Sequence, residues 1–171
     1  HARILYSNVL LGIEPSVSSG QNGLDSSKPN SFERWTFSGT AQAVFTLPSN
    51  QNIDTICIGA HNLKDVTVRV YYDVNDNGML RHLGSTTPET DAAIMFHFDA
   101  EYSAKRISVK VESSSTHFVG YISAGIALQL QRPFFSGHTP ITDSCQSKIV
   151  HNRTQAGNII GASLVRMGVK T

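Results

Sequence analysis

Apolar residues recur at every second position in several separate segments of this chain of 171 residues. In residues 66–72, three valines and a tyrosine alternate with threonine, arginine and tyrosine, and residues 107–112 and 126–131 repeat the pattern. Successive side chains of a β-strand point to opposite faces of a sheet, so each segment has one face for a core and one for solvent. The alternation predicts half-buried strands rather than amphipathic helices.

Turn-forming residues separate these segments from further strand candidates. The turns include Pro48–Asn52 and the sequence Asn75–Gly78, which is typical of a tight hairpin. The additional candidates are 42–47, 53–60, 79–84, 92–98 and 117–123. Strands spaced about 10–14 residues apart, without helices between them, indicate an antiparallel sandwich or barrel. We therefore predict an all-β fold, an antiparallel β-sandwich.

Two regions depart from the alternation. Residues 14–34 are rich in Ser, Gly and Asn, which predicts a long loop. Residues 132–157 contain two prolines and no sustained period, and an apolar stretch follows at 159–169. Long irregular segments usually carry function or contact a partner. We therefore predict a sandwich domain over 1–131 and, over 132–171, an extended C-terminal arm or the start of a further assembly element.

Charge is sparse and unevenly distributed along the chain. Charged residues make up 16% of the sequence and the net charge is +1, so we expect no nucleic-acid partner. Residues 1–131 carry twelve acidic and nine basic residues, whereas 132–171 carry five basic residues and Asp143. This asymmetry indicates an arm that docks on an acidic protein surface, with chance as the alternative. No apolar run reaches the roughly 18 residues of a membrane span, so we expect no membrane insertion.

The two cysteines differ in their surroundings. Cys57 lies between two isoleucines, whereas Cys145 lies in a polar stretch. Two cysteines do not define a disulfide framework, so we expect free thiols, with a disulfide as the alternative. Cys57 is then expected to act as a small core residue.

The order of segments in the middle of the chain matches a known family. The matching segments are 33–37 with Trp35, 45–48, 53–63, 68–78, 104–111 and 124–130. This order resembles the discoidin-like, galactose-binding-like jelly-roll superfamily, and the match covers about residues 33–131. The resemblance implies a jelly-roll sandwich in which Trp35 corresponds to the buried tryptophan of the family. The chain departs from the family after the hairpin turn, where Met79 and Leu80 replace the usual aromatic residue.

Four further segments are similar to tail proteins of bacteriophages. They are 2–8, 59–63, 128–134 and 160–166. This resemblance implies a non-enzymatic structural component of a bacteriophage virion, in the tail or tail tip. It implies assembly in the bacterial cytoplasm, with copies of this chain and other virion proteins as partners.

The arm supplies the candidate assembly interface. Buried aromatic residues dominate interface energies, so the Phe134–Phe135 pair is the candidate anchor, with packing on its own sandwich as the alternative. The arm is expected to add a strand to the sheet of a neighbouring subunit. The candidate interface residues are Phe134, Phe135, Ile159, Ile160, Leu164 and Arg166.

The alternative function is a carbohydrate-binding module that recognises cell-surface glycans, including those of a host. Sandwich proteins bind ligands with loops at one end. The candidate loops are 61–65, 84–91 and 113–117, with Asn62, Asp65 and His117 as polar contacts. A stacking platform for sugar rings and core packing are the two interpretations of the aromatic residues Trp35, Tyr71, Tyr72, Phe96 and Tyr121.

One segment has part of a calcium motif. Asp73, Asn75 and Asn77 precede Gly78 in the spacing of the first half of an EF-hand loop. The position that requires a bidentate glutamate holds Gly84. The same residues fit a hairpin turn, which is the favoured interpretation. No histidine pair has metal-ligand spacing, and we expect no cofactor.

The sequence offers no assembled reaction centre. It lacks a Gly-x-Ser-x-Gly motif and a glycine-rich phosphate loop. Cys145 has His138 and His151 near it in sequence, but a catalytic pair must meet in space. The acidic residues of 89–101 do not single out a glycosidase pair. We therefore predict a protein that is not an enzyme.

Overall fold

The computed structural model describes residues 3–28, 33–129, 145–153 and 159–168. These residues fall into two units, 3–129 and the pair of segments 145–153 and 159–168. Within the described residues, no helix has the length and apolar character needed to span a bilayer. The strands are β1 (Arg3–Leu5), β2 (Ser16–Val17), β3 (Trp35–Ser38), β4 (Ala41–His61), β5 (Thr67–Asp73), β6 (Arg81–Thr86), β7 (Ile94–Glu112), β8 (Thr116–Gly125), β9 (Ala127–Gln129), β10 (Cys145–Arg153) and β11 (Ile159–Gly168), with a 3₁₀ helix at Gly23–Ser27.

The alternating segments form two antiparallel layers, which share one core. The front layer has the order β2-β4-β7-β5-β6, using residues 41–46 of β4 and 106–112 of β7. The back layer has the order β7-β4-β8-β3, using residues 94–97 of β7 and 55–61 of β4. The predicted antiparallel β-sandwich is therefore confirmed.

Strand β4 belongs to both layers because it bends in the middle. Its register on β7 is interrupted between Thr46 and Gln51, and Pro48 lies exposed in that interval. Proline has no backbone N–H and is therefore compatible with a break in the ladder. The predicted strands 42–47 and 53–60 are two halves of one strand. The prediction that a turn at Pro48–Asn52 separates them into two strands is therefore wrong.

Inward-facing residues of both layers form a single core. Trp35 is 0% exposed and its ring lies 4.5 Å from that of Phe37, which confirms that Trp35 is a core residue. Gly84 of β6 lies opposite β7 of the back layer, since a Cβ at this position would be 3.5 Å from the Phe96 ring. Other fully buried members are Phe45, Ile53, Ile56, Ile58, Val68, Val70, Ile107, Val109, Ile122 and Ala124.

Cys57 does not occupy the core position that the sequence predicts. Its neighbours Ile56 and Ile58 face the core, so the alternation turns Cys57 to the outer face, where it is partly exposed beside Met95 and Ser123. Burial raises the pKa of the Cys57 thiol, and its hydrogen bond with Ser123 opposes that rise. The Cys57 thiol is free, and that of Cys145 stays a prediction.

The segment 126–131 was predicted to present one face to the core, and for its described residues, 126–129, the structure contradicts this. Strand β9 pairs with β1 in a separate two-stranded ribbon, with Leu128 opposite Ile4. These two side chains are 50% and 47% exposed. The chain leaves the back layer after Gly125 and pairs with its own beginning, so the alternation of this segment is not used for the core.

The strand registers define one end of the sandwich, which we call the loop end. Strand β5 begins there with Thr67 opposite Glu112, and β4 ends there with His61 opposite Val119 of β8. The segments at the loop end are 39–40, 61–66, 87–93 and 112–117.

The opposite end holds the bend of β4 and is called the bend end. Strand β5 finishes there with Asp73 opposite Arg106. Gly125 pairs with Thr55 at this end, directly before the β1–β9 ribbon. The first unit therefore has both of its chain ends near the bend end and away from the loop end.

The second unit consists of β10 and β11, which pair antiparallel from Cys145 opposite Gly168 to Arg153 opposite Ile159. The prediction of an extended arm or the start of a further assembly element over 132–171 stays a prediction, because residues 132–144 lie outside the described residues. Of the predicted interface residues, Ile159, Ile160, Leu164 and Arg166 lie on β11, whereas Phe134 and Phe135 lie outside the described residues. The assembly role of these residues and the domain boundary at 131 stay predictions.

Candidate functional site

The loop end contains an open depression of about 530 Å³. This volume lies in the range of small-molecule sites, about 300–1,000 Å³. The depression is formed by the segment that connects β4 to β5 and by the segment that connects β7 to β8. Its lining residues are Lys64, Asp65, Val66, Glu112, Ser113, Ser114, Ser115 and His117.

Backbone hydrogen bonds bring the three predicted loops together here. Asp65 N donates to Pro88 O at 2.8 Å, and Lys64 N donates to Asp91 Oδ1 at 2.9 Å. The third loop, 113–117, is tied to the turn before β4, where Gly39 N donates to Ser115 O at 3.0 Å. The loops 61–65, 84–91 and 113–117 therefore share one end of the sandwich, and two of them line the depression.

Asn62 and His117 connect the loops to each other. Asn62 Oδ1 accepts a hydrogen bond from Phe118 N at 2.7 Å, and Asn62 O accepts one from His117 Nδ1 at 3.0 Å. His117 Nε2 lies 2.7 Å from Ser113 Oγ. Both residues thus have structural contacts of their own, and His117 also lines the depression. Their contact with a glycan stays a prediction.

Asp65 and Lys64 present the charges that are open to a ligand. Both are exposed, and Asp65 has a left-handed backbone with φ of 60°. Within the described part of the chain, neither the Asp65 carboxylate nor the Lys64 ammonium forms a hydrogen bond or an ion pair. A carboxylate and an ammonium side by side can accept and donate hydrogen bonds to a polyhydroxyl ligand.

Glu112, at the opposite wall, is already neutralised by two cations. Lys110 Nζ lies 2.9 Å from its Oε1, and Arg69 Nε lies 3.1 Å from its Oε2. The Lys110 ammonium, followed by the Arg69 guanidinium, holds the pKa of Glu112 below its ordinary value of 4.5. Glu112 is therefore ionised at neutral pH and can accept hydrogen bonds, while Lys110 and Arg69 compensate its negative charge.

Sequence reasoning missed several residues of this depression. Lys64, Val66 and Glu112 were not singled out, nor were the hydroxyl groups of Ser113–Ser115. Glu112 could have been identified only from the pairing of β5 with β7, in which Thr67 lies opposite Glu112 and the end of β7 lies beside the start of β5. That pairing is set by long-range contacts between strands, which alternation alone does not specify.

The aromatic residues considered as a sugar platform do not gather at one surface. Phe96, like Trp35, is buried in the core. Tyr72 packs on Tyr102 with ring centroids 5.0 Å apart, and Asn8 Nδ2 donates to the Tyr121 hydroxyl at 2.7 Å. Burial raises the pKa of Tyr121, and the bond from Asn8 opposes that rise. The structure favours packing over a common platform for these side chains.

The Asp73 segment has the geometry of a hairpin turn. Asp73 is 2% exposed, and its two carboxylate oxygens accept hydrogen bonds from Asn75 N at 3.0 Å and Gly78 N at 2.9 Å. Asn77 Oδ1 accepts one from Met79 N. These oxygens therefore close the turn between β5 and β6. Calcium binding by Asp73, Asn75 and Asn77 remains a prediction, and the geometry favours the alternative.

A second, polar depression of about 330 Å³ lies at the bend end. Several of its side chains have partners within the domain. Asp54 Oδ1 accepts from Ala127 N at 2.8 Å, and Glu101 Oε2 accepts from Asn52 Nδ2 at 3.0 Å. Among the residues that the structure describes, no three His, Cys, Asp or Glu side chains are grouped to hold a metal ion.

Comparison with known proteins gives structural matches alone. No protein-family model and no curated protein sequence matches the chain. Chitosan-binding module 1 of a Paenibacillus chitosanase/glucanase matches with a TM-score of 0.58 at 14% identity, over 70% of this chain and 98% of that module. A carbohydrate-binding module from Clostridium perfringens in complex with GalNAc-β-1,3-galactose has a TM-score of 0.60 at 9% identity, over 70% of this chain and 99% of that module.

A much longer enzyme also contains the fold. A Ruminococcus gnavus GH29 fucosidase in complex with fucose matches with a TM-score of 0.60 at 15% identity, over 72% of this chain. The chain spans only 27% of the length of that fucosidase. At such identities the similarity establishes the fold alone: the first unit has the jelly-roll sandwich fold of these modules, as the sequence predicted. The structures named here give no support to the bacteriophage resemblance.

Proposed function

We propose that the first unit is a non-catalytic carbohydrate-binding module whose glycan site is the loop-end depression. The observation that carries this proposal is the position of that depression. It lies at the end opposite to both ends of the first unit, on a fold shared over almost the full length of two carbohydrate-binding modules. A ligand bound there would lie at the end of the first unit opposite to the β1–β9 ribbon.

The chemistry of the lining suits an oligosaccharide. Sugar hydroxyls both donate and accept, so they match the Asp65 carboxylate, the Lys64 ammonium and the hydroxyl groups of Ser113–Ser115. The His117 ring, which is partly exposed, is available for the C–H face of a sugar. The depression is open and its lining contains no Trp, Tyr or Phe among the described residues. We therefore expect a single site to bind its glycan weakly and reversibly. Several copies of the site on one particle or protein would raise the overall avidity.

The bacteriophage assembly hypothesis has no comparable support. Its candidate interface residues lie in the second unit or outside the described residues. A glycan-binding role explains the loop-end geometry without reference to that unit.

We expect the Asp65→Asn substitution to weaken glycan binding about tenfold, because one charge-assisted hydrogen bond contributes roughly 1.5 kcal/mol or more. Asparagine tolerates the left-handed backbone of position 65, so the loop retains its shape. The measurement is a glycan array containing galactose, GalNAc-β-1,3-galactose, fucose and chitosan oligosaccharides, followed by calorimetry on the ligands that bind. Asn62 is unsuitable here, because its substitution also removes the bond to Phe118 N.

The matched control is Asp99→Asn, an exposed carboxylate of the bend-end depression. It makes the same change of charge at the other end of the sandwich and is expected to leave binding unchanged. Equal losses in both variants would place the ligand away from the loop end. An array on which no glycan binds would overturn the proposed function.

A further inference from the structure

One peptide group at the loop end is held by two histidines. The peptide joins Asn62 to Leu63. Its N–H donates to Nδ1 of His61 at 3.2 Å, and its C=O accepts from Nδ1 of His117 at 3.0 Å. Lys64 and Asp65, which line the depression, follow this peptide directly. We call the two imidazoles and the peptide the histidine clamp.

The two rings of the histidine clamp have opposite tautomers. A backbone N–H can only donate, so Nδ1 of His61 offers a lone pair and the ring proton is on Nε2. A backbone C=O can only accept, so Nδ1 of His117 carries a proton. In the neutral His117 ring, Nε2 accepts from the Ser113 hydroxyl, 2.7 Å away.

Acid therefore affects the two rings differently. A protonated His61 has N–H groups at both nitrogens, so Nδ1 can no longer accept from Leu63 N and two donors face each other. A protonated His117 keeps its Nδ1–H bond to Asn62 O, and the Ser113 hydroxyl can rotate to accept from Nε2. Of the two rings, only His61 loses its bond to the peptide.

The surroundings of His61 favour the neutral ring. His61 is 4% exposed, and its Nε2 has no hydrogen-bond partner of normal geometry within the described residues. Burial lowers its pKa from the ordinary 6.5, outweighing the backbone of Ala92 and the charge of Asp91, which raise it. From the other elements, β8 contributes Val119 opposite His61 and His117 beyond the peptide, and Lys64 and Asp65 belong to the same loop.

We propose that the histidine clamp makes the loop-end site sensitive to pH, such that acidification releases the Asn62–Leu63 peptide and weakens glycan binding. This inference rests on the proposed function of the depression. The peptide fixes the loop that carries Lys64 and Asp65, so its release disorders two of the ligand contacts.

The direction of the effect follows from linkage. The pKa of His61 is lower in the folded chain than in the unfolded chain, so the unfolded chain binds the proton first as pH falls. The stability contributed by the neutral ring is present above the ordinary value of 6.5 and is lost as pH falls through the folded value. Glycan affinity is expected to fall at lower pH, around the folded value, since only a proton bound by the folded chain breaks the clamp.

The test combines two measurements on the full chain between about pH 7.5 and about pH 4.5, the range in which histidine titrates. The first is NMR of the Leu63 amide and of the imidazole nitrogens, with Val109 in the core as reference. The second is calorimetry with galactose and GalNAc-β-1,3-galactose, neither of which titrates in this range. We expect the Leu63 signal to shift while Val109 stays constant, and the affinity to fall about tenfold, the equivalent of one hydrogen bond.

Two variants separate the rings. In His61→Asn, the amide oxygen replaces Nδ1 as acceptor and does not titrate, so both the Leu63 signal and the affinity should become independent of pH. In His117→Asn, the amide N–H replaces the Nδ1–H donor, and the pH response of the native chain should persist. An unchanged Leu63 signal in the native chain, or an equal pH response in His61→Asn, would overturn the inference. Glycan binding that is constant while Leu63 shifts would overturn the link to the site, and no binding at neutral pH would overturn the proposed function itself.

Discussion

Replacing Trp35 with alanine is expected to destabilise the first unit by about 3–5 kcal/mol, the typical cost of removing a large aromatic side chain from a core. Trp35 is fully buried and packs on Phe37, and its Nε1–H donates to Ser19 O at 2.9 Å. Alanine leaves a cavity between β3 and the core and removes a hydrogen bond that ties the 14–28 segment to the sandwich. The measurement is urea unfolding followed by circular dichroism, because the substitution removes the single tryptophan of the chain.

The matched control is Trp35→Phe, which keeps most of the apolar volume and loses the N–H donor. We expect a smaller loss, about 1–2 kcal/mol, because Ser19 O is left without its partner. A Trp35→Ala variant that unfolds at the same urea concentration as the native chain would mean that this side chain is exposed in solution.

Replacing Asp73 with alanine is expected to cost about 2–4 kcal/mol, because two hydrogen bonds to a buried carboxylate are lost together. The donors are Asn75 N and Gly78 N, which the substitution leaves without acceptors in the turn. Asp73→Asn retains one acceptor oxygen and is expected to lose about half as much. Thermal unfolding of the three proteins measures the difference.

The same experiment distinguishes the two interpretations of the Asp73 segment. Adding millimolar calcium to the native chain should leave its unfolding temperature unchanged, because both carboxylate oxygens already serve the turn. A bound ion would stabilise the folded state by mass action. A calcium-dependent increase that is lost in Asp73→Asn would favour the ion site and contradict the turn interpretation.

The alternation of apolar and polar residues predicted the class of fold because alternation can be recognised from neighbouring residues alone. The inward valines of β5 and isoleucines of β4 have to be covered, and an antiparallel sandwich is one of few ways to cover them. Trp35 was assigned to the core from the family resemblance, and its burial confirms that assignment. The bend of β4 was missed because Pro48 looks locally like the end of a strand.

The candidate site was predicted in part. Asp65 and His117 were chosen from the loops, and both line the depression. Lys64 lies in the predicted loop 61–65 but was not chosen as a contact, and Glu112 was missed because its position depends on which strands become neighbours. Strand registers are set by contacts between residues far apart in sequence, so no local pattern reports them. For the same reason, the alternation of 126–131 suggested a core face, although β9 pairs with β1.

The most direct test of the proposed glycan site is a two-dimensional NMR titration of the native chain with galactose, GalNAc-β-1,3-galactose and chitosan oligosaccharides. We expect at least one of these ligands to shift the amide signals of residues 64–66 and 112–117, while those of residues 97–101 at the bend end stay in place. Signals that move only at the bend end, or that move with none of the sugars, would contradict it.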